Sequence, residues 1–323
     1  MTLTRQDAPR FSVCIRADHR REGLRRAIRS ALDQDVDDLE VVVSDDSGRL
    51  GDVVADAGDD RIRYHRNPGQ KGSIANLRYV SSLARGEKVV VLDDDDRLLP
   101  DFLSVAGEPM DEDETVGVVF TSFMREAGDG RWPYTFPVPA GAVEDPLRMI
   151  MAGHQPGRSA TLIRRTALEQ GEHDFPLVDG HVGDLTTWIR AAVGGWGFWA
   201  VTEPHAIVSI HRGQLSARED SARMIRTLER FRFEDPPTEA ARRSRLADTR
   251  RRRALALARR GRVGDARREL TLAAATAPRP PPLEWLASIA AGWSALHRFR
   301  VRHPRVGALL RDARARVRSQ ASS

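Results

Sequence analysis

The chain has 323 residues, 41% hydrophobic and 30% charged, which suits one large domain with a smaller one and excludes wholesale disorder. Its single cysteine, Cys14, excludes an intrachain disulfide framework and with it a small stapled extracellular fold. The formal net charge is +5, and nearly all of the positive charge is arginine, concentrated after Arg242, whereas aspartate is concentrated in the first hundred residues.

Met1 to Arg10 lacks the apolar core of a signal peptide, and no stretch approaches the ~20 apolar residues of a membrane span. A cytoplasmic protein is expected. In chain order, Phe11 to Ile15 reads as a buried strand with Cys14 as a structural thiol. Glu22 to Gln34 has helical periodicity, Leu39 to Ser44 is a second strand, and Asp45-Asp46-Ser47-Gly48 closes it with turn chemistry. Arg61 to His65 is a short strand, and Ser73 to Leu83 a helix with Ser73 as its expected N-cap. Lys88 to Leu92 is an apolar strand running into Asp93-Asp94-Asp95-Asp96. Strands are expected at Val116 to Phe123 and Ser159 to Arg164, a short helix at Thr166 to Gln170, and a helix at Asp184 to Val193. Residues 126 to 158 give no periodic signal. Two short strands, Trp199 to Val201 and Ala206 to Ile210, precede a helical C-terminal part.

This alternation predicts an α/β fold with a mostly parallel sheet and helices on both faces. Ligands of such sheets bind beyond the carboxyl ends of the strands, where both acidic clusters stand. Clustered carboxylates with few imidazoles favour Mg²⁺ or Mn²⁺, and a divalent ion at a strand end suits a nucleotide diphosphate.

Six segments in order carry a resemblance to the family 2 glycosyltransferases of the GT-A fold. They are Phe11 to Arg20, Ser30 to Asp46, Asn67 to Asn76, Gly86 to Leu99, Gly183 to Arg190 and Ile210 to Ser216, together spanning about residues 10 to 216. The resemblance implies an inverting, metal-dependent transfer from a nucleotide diphosphate-sugar to an acceptor hydroxyl. It assigns Ala17, Asp18, Arg20, Asp45, Asp46, Lys71, Asn76, Asp93 and Asp94 to the nucleotide-sugar, with Asp45 or Asp46 accepting from the base. Asp95 becomes the principal metal ligand, with Asp93 and His211 beside it and Asp96 in support; Asp184 becomes the general base. Asp184 also stands where a helix N-cap is expected, and Trp188 on the apolar face of the same helix reads as core.

Two departures matter. The family's Pro-Thr-Tyr-Asn loop is Arg16-Ala17-Asp18-His19 here, without the aromatic ring near the base, so uridine is the default with thymidine or guanosine open. The usual Glu before the catalytic Asp is Gly183.

Ala254, Leu257, Ala258, Gly261, Ala266, Leu270, Ala273 and Pro278 resemble one tetratricopeptide-type hairpin, which cannot bury its face alone. Trp285, Ile289, Trp293, Leu296 and Phe299 recur at helical spacing before a basic stretch, a candidate peripheral membrane contact or a packed helix. No nucleic-acid motif accompanies the arginines; a homo-oligomer is open. The expected layout is a GT-A catalytic domain over 1–220 and a smaller all-α domain over 221–323. The alternative to an enzyme is a non-catalytic nucleotide-sugar-binding or scaffold protein acting through its helical tail.

Overall fold

The structure is a computed structural model that describes residues 8–69, 71–174, 182–211 and 221–276. The chain divides into two compact units, Met1–Arg242 and Arg243–Ser323. In the first, β1 (Phe11–Ala17), α1 (Arg21–Leu32), β2 (Leu39–Asp45), α2 (Gly51–Ala55), β3 (Ile62–Arg66), α3 (Ser73–Ser82) and β4 (Lys88–Asp93) form a parallel half-sheet ordered β3-β2-β1-β4. Its strands are apolar runs enclosed by helices; Val13, Cys14, Ile15 and Val41 to Val43 are fully buried. Burial pushes the Cys14 thiol far up, so it packs as an inert neutral group.

Register positions the site. In β1, Arg16 lies opposite Ser44 of β2 and Asp93 of β4, and Ala17 lies opposite Asp45. Three strands therefore end level with one another. Helix α4 (Phe102–Glu112) follows the two-residue β5 (Arg97–Leu98). The second half-sheet contains β6 (Val116–Ala127), β7 (Gly130–Tyr134), β8 (Gly141–Ala142), β9 (Thr161–Arg164) and β10 (Gly197–Ser209). Strand β9 joins the halves, antiparallel to both β4 and β6, while β10 runs parallel to β6. The β-α alternation does not reveal this antiparallel junction. β5 pairs antiparallel with β10, Leu98 opposite Ala206 and Arg97 opposite Ile207, which returns the end of β10 to the acidic run.

Residues 126 to 158, silent in periodicity, contain the β6–β7 hairpin, β8, α5 (Pro146–Met151) and the start of the 3₁₀ turn Arg158–Ala160. Where two strands are expected, β10 is continuous, bent by register shifts around Pro204. Helix α6 (Arg165–Asp174) precedes α7 (Gly183–Val193).

Two caps differ from expectation. Gly72, at φ +116°, caps α3, a backbone conformation that suits glycine, and Ser73 is the first helical residue. Val182 caps α7, which places Asp184 in the first turn with its carboxylate free of capping duty. At Gly183 a Cβ would lie 2.7 Å from Cδ1 of Ile74 on α3, so a side chain there, such as the family's Glu, requires Ile74 to shift. Trp188 is core, its Nε1 donating to the Pro156 carbonyl at 2.8 Å.

Helices α8 (Ser221–Arg230), α9 (Pro236–Arg259) and α10 (Val263–Thr276) follow. In the second unit, Gly261 (φ +78°) turns the chain between α9 and α10, and Ala254, Leu257 and Ala266 form a small buried cluster with Ala258 against it. Ala273 is buried, but Leu270 is 43% exposed and does not join this core. Pro278 and the apolar series Trp285 to Phe299 lie outside the described residues. No helix among the described residues is long and apolar enough to cross a membrane.

Candidate active site

The carboxylates at the end of β2 divide their work. Asp45 is fully buried and accepts from the Tyr64 hydroxyl, Ser47 Oγ, Gly48 N and Leu50 N, each at 2.8 Å. Burial pushes its carboxyl up, but the hydrogen bonds from Leu50, Ser47, Tyr64 and Gly48 outweigh it and hold the group below the usual range. Asp45 therefore builds the turn, and its oxygens are not available to a base. Asp46, partly exposed, accepts from Asn67 Nδ2 and Gly72 N at 2.7 Å, tying the segment before α3 to β2. Two donors leave lone pairs on its carboxylate.

The role of Asp45 has a measurable consequence. A depressed carboxyl contributes stability above its unfolded pKa of about 3.9, and that stability is lost as pH falls through the lower folded value. Asp45→Asn, which sets an amide NH₂ against two of the four donors, is expected to cost about 2–3 kcal/mol at pH 7. The deficit should shrink toward pH 2, as read from urea midpoints across pH.

The opening loop is held by the same strands. Ala17 is buried, and its carbonyl accepts from Asp46 N at 2.9 Å and Asn76 Nδ2 at 3.2 Å. Asn76 is buried too, its Nδ2 also donating to the Ser44 carbonyl and its Oδ1 accepting from Ser44 Oγ. Asn76 is thus a brace between strand ends. The Asp18 carboxylate pairs with its neighbour His19 at 2.8 Å and is exposed. Lys71 is exposed and donates to the Asn67 carbonyl.

Four consecutive aspartates have four different sets of partners. Asp93 is gripped by Arg16 through Nε and through Nη2 at 2.8 Å, while Arg16 Nη1 donates to Ser73 Oγ. Burial pushes the Asp93 carboxyl up, but the charges and hydrogen bonds of Arg16, then Arg158 and Arg20, bring it down to about 2. Asp94 is buried and turned toward the opening loop, accepting from Arg20 Nη1 at 2.7 Å and Asp18 N at 3.2 Å. Burial raises its carboxyl in spite of Arg20. Asp94 and Arg20 thus anchor the opening loop, with Asp94 buried and the Arg20 side chain one-third exposed. Asp95 meets His211 Nε2 at 2.7 Å, and its carbonyl accepts from Ser209 Oγ. Asp96 is buried and accepts from Ser159 Oγ at 2.6 Å and Ser209 N at 2.9 Å. Burial, then the charges of Asp93 and Asp95, raise its carboxyl well above the usual range.

Asp93, Asp95 and Asp96 each offer an oxygen within 4.8 Å of the others. This hard donor set, in mutual repulsion, fits a divalent cation such as Mn²⁺ or Mg²⁺. It brings in Asp96, read from sequence only as support; His211 meets Asp95 from outside the triad.

Arg158 joins this cluster to α7. It is 12% exposed, with Nη1 3.6 Å from Asp93 Oδ1 and Nη2 in an ion pair with Asp184. Burial, then the nearby Arg16 charge, lowers the Arg158 guanidinium to about 9. Sequence reasoning missed Arg16, Arg158, Ser159 and Ser209. Arg16 was signalled by its place at the family's proline; the others had no local signal.

Residues 12–170 match the family described as Glycosyl transferase family 2. The chain is 39% identical over 109 residues to a GalNAc(5)-diNAcBac-PP-undecaprenol beta-1,3-glucosyltransferase of Campylobacter jejuni, a stretch covering 32% of this chain and 35% of that one. The curated relatives it matches are spanned over 35 to 39% of their own length. Among solved structures, S. aureus TarS 1-349 in complex with UDP-GlcNAc superposes with a TM-score of 0.55 at 16% identity, covering 81% of this chain and 90% of TarS 1-349. The mannosyltransferase PcManGT of Pyrobaculum calidifontis, in complex with GDP-Man and Mn²⁺, gives 0.56 at 18% identity, covering 92% and 82%. Residues 12–170, which contain the acidic run at the end of β4, form a glycosyl transferase family 2 region, and the chain has the GT-A fold.

Proposed function

We propose that the protein is an inverting glycosyltransferase that moves a sugar from a nucleotide diphosphate-sugar, UDP-sugar favoured, to an acceptor hydroxyl with a divalent metal. The observation that carries this reading is the level ending of β1, β2 and β4, which brings Asp46 and the triad Asp93, Asp95 and Asp96 to the same edge of the sheet on the two strands flanking β1, with Arg158 spanning from Asp93 to Asp184. The relatives' complexes with UDP-GlcNAc and with GDP-Man and Mn²⁺ support it.

In this reading Asp46 accepts from the imide N–H of the base. Asp93, Asp95 and Asp96 would hold Mn²⁺ or Mg²⁺, which when bound supplies positive charge against the diphosphate. Arg158 Nη1 is buried with no hydrogen-bond partner among the described residues, a donor reserved for the leaving diphosphate or the sugar. Asp184 takes the proton of the acceptor hydroxyl as its oxygen bonds to the anomeric carbon. The bond from that carbon to the diphosphate oxygen breaks, and its electron pair leaves on phosphate. His211 orients Asp95.

A thermal-shift screen of nucleoside diphosphates with and without Mn²⁺ tests the donor site. UDP with Mn²⁺ should raise Tm by several degrees at a hundredfold excess over its Kd, since such binding adds about 2.7 kcal/mol. No shift with any nucleotide would overturn the reading. Binding without metal-dependent hydrolysis or transfer from any nucleotide sugar would favour a non-catalytic scaffold.

A further inference from the structure

A cleft of about 490 Å³ opens between α3 on one side and α6 and α7 on the other. Val91 of β4 and Thr161 and Ile163 of β9 line it from the sheet, Leu77, Leu168 and Trp188 from the three helices. Arg158 and Asp184 also line it, so the cleft shares its polar end with the proposed catalytic groups. Packed interiors hold few voids larger than a water molecule, whereas pockets for small molecules run to about 300–1,000 Å³.

A second observation points to a ligand. Ser81 lines the cleft, and its Oγ is buried with no hydrogen-bond partner among the described residues. A buried hydroxyl without a partner costs about 1–3 kcal/mol. Ile74 of α3 stands against Gly183, next to Asp184, and Ser81 lies two turns further along α3, about 10 Å of helical rise. The cleft thus extends along α3, away from the catalytic end, through mainly apolar walls to one unanswered polar atom. Asn67, which holds Asp46, also reaches the cleft, whereas the triad Asp93, Asp95 and Asp96 lies outside it.

We propose that this cleft is the acceptor subsite and that the acceptor is amphipathic. Its hydroxyl-bearing head stands at Asp184, its apolar aglycone lies between α3 and the pair α6–α7, and one hydrogen-bonding group of that aglycone meets Ser81. The assignment of the occupant rests on Asp184 as the base of a transferase.

The test uses the full chain and n-alkyl β-D-glucosides from methyl to octyl, below their micellar concentrations, by isothermal titration calorimetry. Kd should fall about two- to fourfold for each added methylene. Leu168→Trp, on one wall, and Ala75→Phe, on the opposite wall, should each flatten that dependence while melting cooperatively. The UDP–Mn²⁺ thermal shift on the same wild-type protein reports the donor site separately. A Kd indifferent to chain length, or a dependence undiminished in both variants, overturns the cleft while an intact UDP shift leaves the transferase reading standing. Chain-length dependence with no shift by any nucleotide overturns the transferase reading, and with it the occupant's assignment as an acceptor.

Discussion

Replacing Asp184 with Asn is expected to lower sugar transfer by about 10²- to 10⁴-fold while nucleotide affinity stays within about twofold, the range a positioned general base supplies. The amide matches the carboxylate in shape and keeps an oxygen for Arg158, so α7 and its contact with α3 persist. What it cannot do is take a proton from the acceptor. The decisive measurement is single-turnover transfer beside a direct UDP titration. Unchanged turnover removes Asp184 from the chemistry. Arg158→Gln breaks the same ion pair and also removes the proposed diphosphate donor, so it should weaken nucleotide affinity as well as turnover, whereas Asp184→Asn should lower turnover alone. If both variants lose turnover equally with equal loss of Tm, the pair is structural and the base lies elsewhere.

The second large effect is expected at the acidic run. Asp95→Ala should abolish the Mn²⁺-dependent part of donor binding and reduce transfer by about 10³-fold, the several kcal/mol that a metal's charge contributes. Asp94→Asn should act differently. Asp94 meets Arg20 and the Asp18 amide, not the triad, so its variant should loosen the opening loop and raise KM while metal affinity is retained. Manganese titration by electron paramagnetic resonance separates the two. Equal loss of metal binding in both variants would contradict the division of the run.

The donor half of the fold was legible because its signals are local. β1, β2 and β4 are apolar runs, the last two ending in aspartate, and their boundaries fall within one or two residues of expectation. What was not legible depended on distant partners. The four aspartates are equivalent in sequence, and only Ser159, 63 residues from Asp96, and Ser209, 113 residues away, turn Asp96 into the triad. Asp45 and Asp46 look interchangeable until Tyr64 claims the first. The caps failed for the same reason: Ser73 has the side chain of an N-cap, but Arg16 engages it from β1. Strand β9 offers four apolar-to-basic residues with nothing to announce that it runs against its neighbours.

The clasp of β5 on β10 has a consequence for protein engineering. A segment ending at Asp96 looks like a transplantable donor cassette, since it contains Asp46 and all three triad aspartates. It is not self-sufficient, because the hydroxyl and amide that orient Asp96 come from Ser159 and Ser209 in the other half. A hybrid that takes its first half from this chain and its second from a relative inherits the carboxylates without their splints. Exchanging the acceptor half is therefore also an edit of the donor site, and a working hybrid has to carry a hydroxyl at position 159 and a backbone N–H at position 209.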